Sequence, residues 1–322
     1  MNANKLNISE NQEFIYFLKE RILNYKEDQG GACASYIPEL KKANPNHLAI
    51  NLLLPNGESF SEGDFQQSFS IQSISKVISF IAACMARGVS YVLDWVGVEP
   101  TGNPFNSYLI EKRKPLNPMI NAGALTTVSL LPGNNSVEKF HSVTDLLSIL
   151  IGRKVMINSK IFNSELESAY RNRALANLLM ENEFLASGVE ETVLTYTKLC
   201  SINVTVNDLA KISLILAYDG FDPINEIQLI PTDIARLTKV LMYTCGMYNS
   251  SGEFAALVGI PAKSGVSGGI LAIVPPSHRN SSLISNGCGI GIYGPAIDEN
   301  GNSVKGIKLL KDLIRSYDVS IF

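Results

Sequence analysis

Ser73-Ile74-Ser75-Lys76 opens an apolar run that continues with helical periodicity over residues 77–86. On a helix, positions three apart share a face. The Lys76 amine can therefore reach the Ser73 hydroxyl and take its proton, which activates an otherwise weak nucleophile. A serine at the N-terminus of a buried helix also meets free backbone N–H groups and the positive end of the helix dipole. Both favour developing negative charge. The spacing is not diagnostic by itself, because Ser136-Val137-Glu138-Lys139 repeats it in a stretch that reads as a polar loop. The apolar continuation distinguishes the first copy.

Downstream, Lys263-Ser264-Gly265 precedes a strand-like apolar run over 269–275. S-x-x-K followed by K-[ST]-G is the motif order of serine β-lactamases and penicillin-binding proteins. A strand edge beside the serine can offer a backbone N–H to an oxyanion, and a second ammonium there disfavours protonation of Lys76. To act as a base Lys76 must be neutral. Its pKa must fall by ~3 units from ~10.4, which costs roughly 4 kcal/mol.

Around these motifs the periodicity changes twice. Ser9 and Gln12 have capping-box spacing. Phe14, Phe17, Leu18, Ile22 and Tyr25 then share a helical face that Gly30-Gly31 ends. Residues 47–54 read as a strand with Ile50, Leu52 and Leu54 alternating, and Pro55-Asn56-Gly57 turns into a second strand. Helical periodicity follows from about 71 to 248, in runs 77–86, 143–151, 173–182 and 206–218. Strand character returns at 269–275 and 287–293, and 304–317 reads as an amphipathic helix. The expected fold class is α/β (α+β), serine β-lactamase-like. An antiparallel sheet from residues 1–70 and 250–322 is flanked by the terminal helices, and residues 71–249 form an all-helical lobe of the same single domain. A cleft between two such lobes is a natural small-molecule site.

The 322 residues carry a net charge of −3, with no basic stripe and no aromatic–basic run, which argues against nucleic acid as a partner. No stretch approaches the ~18 consecutive apolar residues of a membrane span. Residues 1–12 are polar rather than signal-like, so a cytoplasmic location is expected. The five cysteines are widely spaced without C-x-x-C and read as buried, reduced thiols. His47, His141 and His278 lie far apart, which argues against a zinc site and against a Ser-His-Asp triad. No metal or organic cofactor is expected, and a base other than histidine is favoured.

More specific blocks surround these features: Tyr36-Ile37-Pro38-Glu39-Leu40, Gln72-Ser73-Ile74-Ser75-Lys76, Asn117-Pro118-Met119-Ile120-Asn121-Ala122-Gly123-Ala124, Cys245-Gly246-Met247-Tyr248, Lys263-Ser264-Gly265-Val266 and Gly301-Asn302-Ser303-Val304. With them the chain resembles the serine-dependent glutaminase family over about residues 25–315. The resemblance implies hydrolysis of L-glutamine to L-glutamate and ammonia through a serine acyl-enzyme. It implies Ser73 as nucleophile, Lys76 as its base and Tyr248 as an aid to proton transfer. The backbone N–H groups of Ser73 and Val266 would form the oxyanion hole. Asn121, Glu165, Asn172 and Tyr196 would line the glutamine pocket, with Tyr36 and Gln72 as further contacts. A homodimer or homotetramer of the short bacterial form is also implied.

Chemistry supports these roles independently. The ammonium of free glutamine calls for a carboxylate, for which Glu165 is the natural candidate, and its carboxylate calls for neutral donors such as Asn and Tyr. Glu165 and Asn172 are spaced two helical turns apart, so both can face one cleft. One departure stands out: Ser267 occupies a position where the family has glycine. The alternatives are a β-lactamase or peptidase of the same fold, which has no use for the Asn121, Glu165 and Asn172 set, and a non-catalytic glutamine-binding protein, which has no use for Ser73 and Lys76.

Overall fold

The computed structural model describes residues 9–103, 107, 114–277 and 282–322. The first half carries α1 (Glu10–Lys26), β1 (Ala49–Leu53), β2 (Ser59–Gly63), β3 (Phe69–Ser70), α2 (Ser75–Arg87), α3 (Val89–Trp95), α4 (Asn121–Ser129) and α5 (Ser136–Ile151). There follow α6 (Ser159–Glu167), α7 (Tyr170–Glu181), α8 (Val189–Cys200), β4 (Asn203–Val204), α9 (Val206–Ala217), β5 (Phe221–Asp222), β6 (Ile227–Gln228) and α10 (Thr232–Cys245). The last quarter holds α11 (Ser251–Leu257), β7 (Ala262–Ser264), β8 (Gly269–Val274), β9 (Cys288–Tyr293) and α12 (Val304–Tyr317).

The main sheet has the order β2-β1-β9-β8-β7 and is antiparallel throughout. Chain start and chain end thus meet at β1 and β9, where Leu52 faces Ile290. One face carries Ile50, Leu52, Ile270, Ala272, Ile290 and Ile292, packed with Phe14, Leu18 and Ile22 of α1 and Leu309, Leu310 and Leu313 of α12. The capping box of α1 forms: Gln12 N–H donates to Ser9 Oγ, and Ser9 N–H donates to Gln12 Oε1. The helix stops at Lys26, short of the glycine pair expected to end it. There the buried Lys305 of α12 donates to the Lys26 carbonyl at 2.6 Å and satisfies one of the open helix-end acceptors.

The other face of the sheet is covered by α9, a run expected in the helical lobe. The cause is glycine at alternate positions of β9. A Cβ at Gly289 would lie 1.9 Å from the Ala210 carbonyl oxygen, and one at Gly291 would lie 2.0 Å from that of Val206. Without side chains there, the helix backbone rests directly on the strand. Ser213 of α9 also donates to the Ile290 carbonyl at 3.1 Å. Covered on both faces, β1, β8 and β9 are buried at every residue.

The helical block centres on α2, buried continuously from Ser75 to Cys84 and packed by α4, α5 and α10. The second S-x-x-K copy is not in a loop. Asn135 accepts from the Val137 and Glu138 N–H groups and starts α5 at Ser136. Its Lys139 is buried, donating to the Ser129 carbonyl at 2.7 Å beside Glu191. Among the described residues no single helix is long and apolar enough to cross a membrane. All five cysteines are free.

Gly291→Val places a branched side chain into the α9 backbone. We expect destabilisation by about 2–4 kcal/mol, read by chemical denaturation, with an unchanged Tm ruling out the close seam.

Candidate active site

Ser73 lies in a short 3₁₀ turn, Gln72–Ile74, that runs straight into α2. The turn begins with strain: Gln72 has φ 47°, in the left-handed region that L-residues seldom occupy. Burial and side-chain bonds hold it there. Gln72 Nε2 donates to Glu165 Oε2 at 3.2 Å and to Ser70 Oγ at 3.4 Å.

Lys76 follows in the first turn of α2 and is 1% exposed. Its Nζ lies 3.1 Å from Ser73 Oγ and 2.8 Å from Asn121 Oδ1. Burial lowers its pKa to about 8, against the opposing pull of Cys200 and Glu165. Near neutral pH a usable fraction of this amine is uncharged, with its lone pair available to the serine proton. Asn121 fixes the geometry, because it sits in a web of its own. Its Oδ1 also accepts from the Tyr196 hydroxyl at 3.4 Å, and its Nδ2 donates to Asn172 Oδ1 at 3.1 Å.

The second lysine expected near Lys76 is Lys263, and it is buried as deeply. Lys263 is fully buried and donates to the Gly246 and Ser264 carbonyls, at 3.1 and 2.6 Å. Burial, and then the charge of Lys76, hold it well below the usual lysine range. Desolvation is the largest cause of the lowered Lys76 pKa, and the two buried lysines disfavour each other's charge. Lys263 Nζ also lies 4.4 Å from the Tyr248 ring centroid.

Tyr248 is another left-handed residue, with φ 53°. Its buried phenol is pushed up by desolvation and hydrogen-bonds with Ser73, so it stays protonated and able to donate. Val266 sits in the β7–β8 turn, where Gly268 N–H donates to the Gly265 carbonyl at 2.8 Å. Gly265 brings this turn against the serine turn: a Cβ there would lie 2.9 Å from the Ile71 carbonyl. Gly301 backs both groups, since a Cβ on it would lie 3.2 Å from the Tyr248 ring and 3.3 Å from Val266 Cγ1. Ser267, the departure from the family pattern, is buried in the same turn. Its hydroxyl has no hydrogen-bond partner among the described residues.

A cavity of about 260 Å³ opens above Ser73. It is lined by Tyr36, Gln72, Ser73, Asn121, Glu165, Asn172 and Tyr196, so all the expected pocket residues except Tyr248 and Val266 face it directly. Those two stand behind the serine, and Lys76 lies beneath it. Glu165 and Asn172 reach the cavity from two helices, not from one. The chain breaks at Ser168 and Ala169, and Ser168 Oγ turns back to the Ser164 carbonyl at 2.9 Å. Burial raises the Glu165 carboxyl to about 7, against the Gln72 hydrogen bond and Lys76. Tyr36 is 55% exposed as a residue, yet desolvation of its hydroxyl end, and then the neighbouring Tyr248 and Glu165, push it well above the usual range. The sequence reading gave no role to Arg171, which lines the same cavity, or to Cys200, whose Sγ lies 3.8 Å from Ser75 Oγ. An exposed arginine and a buried cysteine carry no sequence signal of their own.

The family model described as Glutaminase matches residues 31–322. The chain belongs to the glutaminase family. Glutaminase 1 of Bacillus subtilis (strain 168) is 55% identical over 296 residues, covering 91% of this chain and 90% of that one. Among solved structures, a probable glutaminase from Bacillus subtilis complexed with 6-diazo-5-oxo-L-norleucine superimposes with a TM-score of 0.90. It is 50% identical and covers 99% of this chain and 100% of its own. A further Bacillus subtilis glutaminase structure is the covalent complex with 5-oxo-L-norleucine, formed by reaction with 6-diazo-5-oxo-L-norleucine. Its TM-score is 0.89 at 50% identity, over 96% of this chain and 99% of that one. The antiparallel sheet with its surrounding helices is thus the β-lactamase-like fold shared by this glutaminase family.

In a member of this family with the Lys76–Asn121 contact, Asn121→Asp sets a carboxylate 2.8 Å from the amine. The neighbouring anion favours the ammonium and raises the Lys76 pKa. We expect the rising limb of the kcat/KM–pH profile to move up by about one to two pH units. An unmoved limb would show that Lys76 does not set it.

Proposed function

We propose that this glutaminase hydrolyses L-glutamine to L-glutamate and ammonia through an acyl-enzyme on Ser73, with Lys76 as the general base. The observation that carries the reading is the 3.1 Å contact between Ser73 Oγ and an amine whose pKa burial has lowered to about 8. Neutral Lys76 takes the serine proton as Oγ attacks the side-chain amide carbon. The oxyanion forms beside the N–H groups of Ser73 and Val266, and each such donor is typically worth about 10²–10³ in rate. Protonated Lys76, relayed by the Tyr248 phenol, returns the proton to the departing nitrogen. Ammonia leaves, and water attacks the ester by the same route in reverse. Glu165 receives the substrate ammonium, while Asn121, Asn172, Tyr196 and Tyr36 supply neutral groups around the rest of the molecule. A relative half identical to this chain forms a covalent complex with 5-oxo-L-norleucine. That compound carries a ketone carbon where glutamine carries its amide carbon, which supports a nucleophile at the end of such a pocket. No metal or organic cofactor enters these steps. The free cysteines support a reducing compartment, the cytoplasm.

Ser73→Ala should lower kcat for ammonia release from glutamine by about 10⁴-fold or more while the protein still folds. Wild-type rates in that variant would end the serine mechanism. The pH dependence has a definite sign. Glu165 must be ionised and Lys76 neutral, and both fractions grow as pH rises, through about 7 and about 8. We therefore expect kcat/KM to climb between about pH 6 and pH 9. A profile that falls over this range would contradict the assignment of base and ammonium partner.

A further inference from the structure

A second cavity, of about 100 Å³, reaches Tyr248 and shares no lining residue with the pocket above Ser73. Two elements stand between the pair. Tyr248 lines the second cavity while its phenol hydrogen-bonds with Ser73. Ile120 lines it too, and the next residue, Asn121, lines the first. From the buried Tyr248 the second cavity extends to Asn103 and Asn249, both exposed. We propose that it is a port for small uncharged molecules, through which ammonia leaves and water reaches the Ser73 ester while the glutamyl group occupies the pocket above the serine. This rests on the acyl-enzyme reading above and deepens it.

The order of steps creates the need for such a port. After ammonia is expelled, the glutamyl group stays bonded to Ser73 Oγ and still fills the pocket by which it entered. In the steps above, the Tyr248 phenol serves the departing nitrogen, so ammonia is released beside that ring. Deacylation reverses the same path, which brings water in from the same side. The lining suits this traffic. None of its residues is charged, so nothing there holds an ammonium ion or attracts a carboxylate. A water molecule takes about 30 Å³ in the liquid. The cavity therefore admits a few molecules the size of ammonia or water and excludes a second amino acid. Its polar walls are tied down by their own bonds. Asn117 Nδ2 donates to the Glu99 carbonyl at 2.7 Å, and its Oδ1 accepts from the Met119 N–H at 3.0 Å. The Ser251 hydroxyl donates to the Tyr248 carbonyl at 2.9 Å.

The test changes the width of the port and reads how the acyl-enzyme divides between water and a competing nucleophile. Hydroxylamine and the bulkier O-methylhydroxylamine are supplied with L-glutamine. Their nitrogen bonds to the acyl carbon as the C–Oγ bond breaks, and the proton it sheds passes through Lys76 to Ser73 Oγ. The product is a γ-glutamyl hydroxamate in place of glutamate. Cys245→Ala widens the port, whereas Cys245→Met and Gly252→Leu narrow it from two walls. Gly252 has room for a side chain, since a Cβ there would meet no atom within 4 Å. With O-methylhydroxylamine, narrowing should lower the hydroxamate-to-glutamate ratio by about threefold or more and widening should raise it by about twofold, with smaller shifts for hydroxylamine. The ratio compares two fates of one acyl-enzyme, so a loss of folded protein does not move it. Any other pattern would overturn the port, including ratios fixed at the wild-type value, shifts of one sign in all three variants, or a wild type that forms glutamate but no hydroxamate. Ammonia release that is absent in wild type, or undiminished in Ser73→Ala, would instead sink the acyl-enzyme reading, so the two failures are distinguishable.

Discussion

Desolvation of the Lys76 amine is the constraint on which the site depends. Helix α2 is buried for three consecutive turns, and the lysine enters that core one residue after the helix begins. Its contacts include the Ser73 hydroxyl and the Asn121 amide carbonyl, and burial outweighs the pull of Cys200 and Glu165 on its charge. Water would stabilise the ammonium, and so would an adjacent anion. With water kept away, lowering its pKa to about 8 corresponds to roughly 3 kcal/mol against the charged form. The helix core supplies this stress, and the neighbouring Asn121 web gives it direction.

Backbone geometry does the remaining positioning. Gln72 and Tyr248 both hold left-handed φ values, and each stands next to the group it serves. Such conformations cost about 1–3 kcal/mol apiece and persist only where the surroundings overdetermine them. Here the surroundings are identifiable: the Gln72–Glu165 bond, the Ser251 hydroxyl donating to the Tyr248 carbonyl at 2.9 Å, and Gly301 pressed against the Tyr248 ring. The terminal part of the chain thereby braces a site whose serine lies near residue 70. The same logic operates at the sheet, where two glycines of β9 let α9 settle onto it and leave no room for slippage.

Much of this was legible in the sequence. The S-x-x-K tetrad, its apolar continuation and the downstream K-S-G turn place the serine and its lysine correctly, because helix periodicity is a local property. The capping box of α1 and the bounds of α12 are local as well. What was not legible depends on distant partners. Residues 206–217 read as one more helix of the middle block, and only Gly289 and Gly291 on another strand reveal why they lie on the sheet. Seven-residue spacing suggested one helix for Glu165 and Asn172, whereas Ser168 closes the first helix with its own hydroxyl. Lys139 looked solvated and is buried, since its acceptor is a carbonyl on another helix.

Glu165 holds a carboxyl raised to about 7 in the empty cavity, sharing a hydrogen bond with Gln72. A ligand that brings a positive charge to it must pull that equilibrium toward the anion. Capture of such a ligand then releases protons from Glu165 before any bond is broken. If Glu165 takes the substrate ammonium as proposed, uptake of the amino acid becomes an acidifying event, and its heat would carry the ionisation enthalpy of whichever buffer accepts the proton.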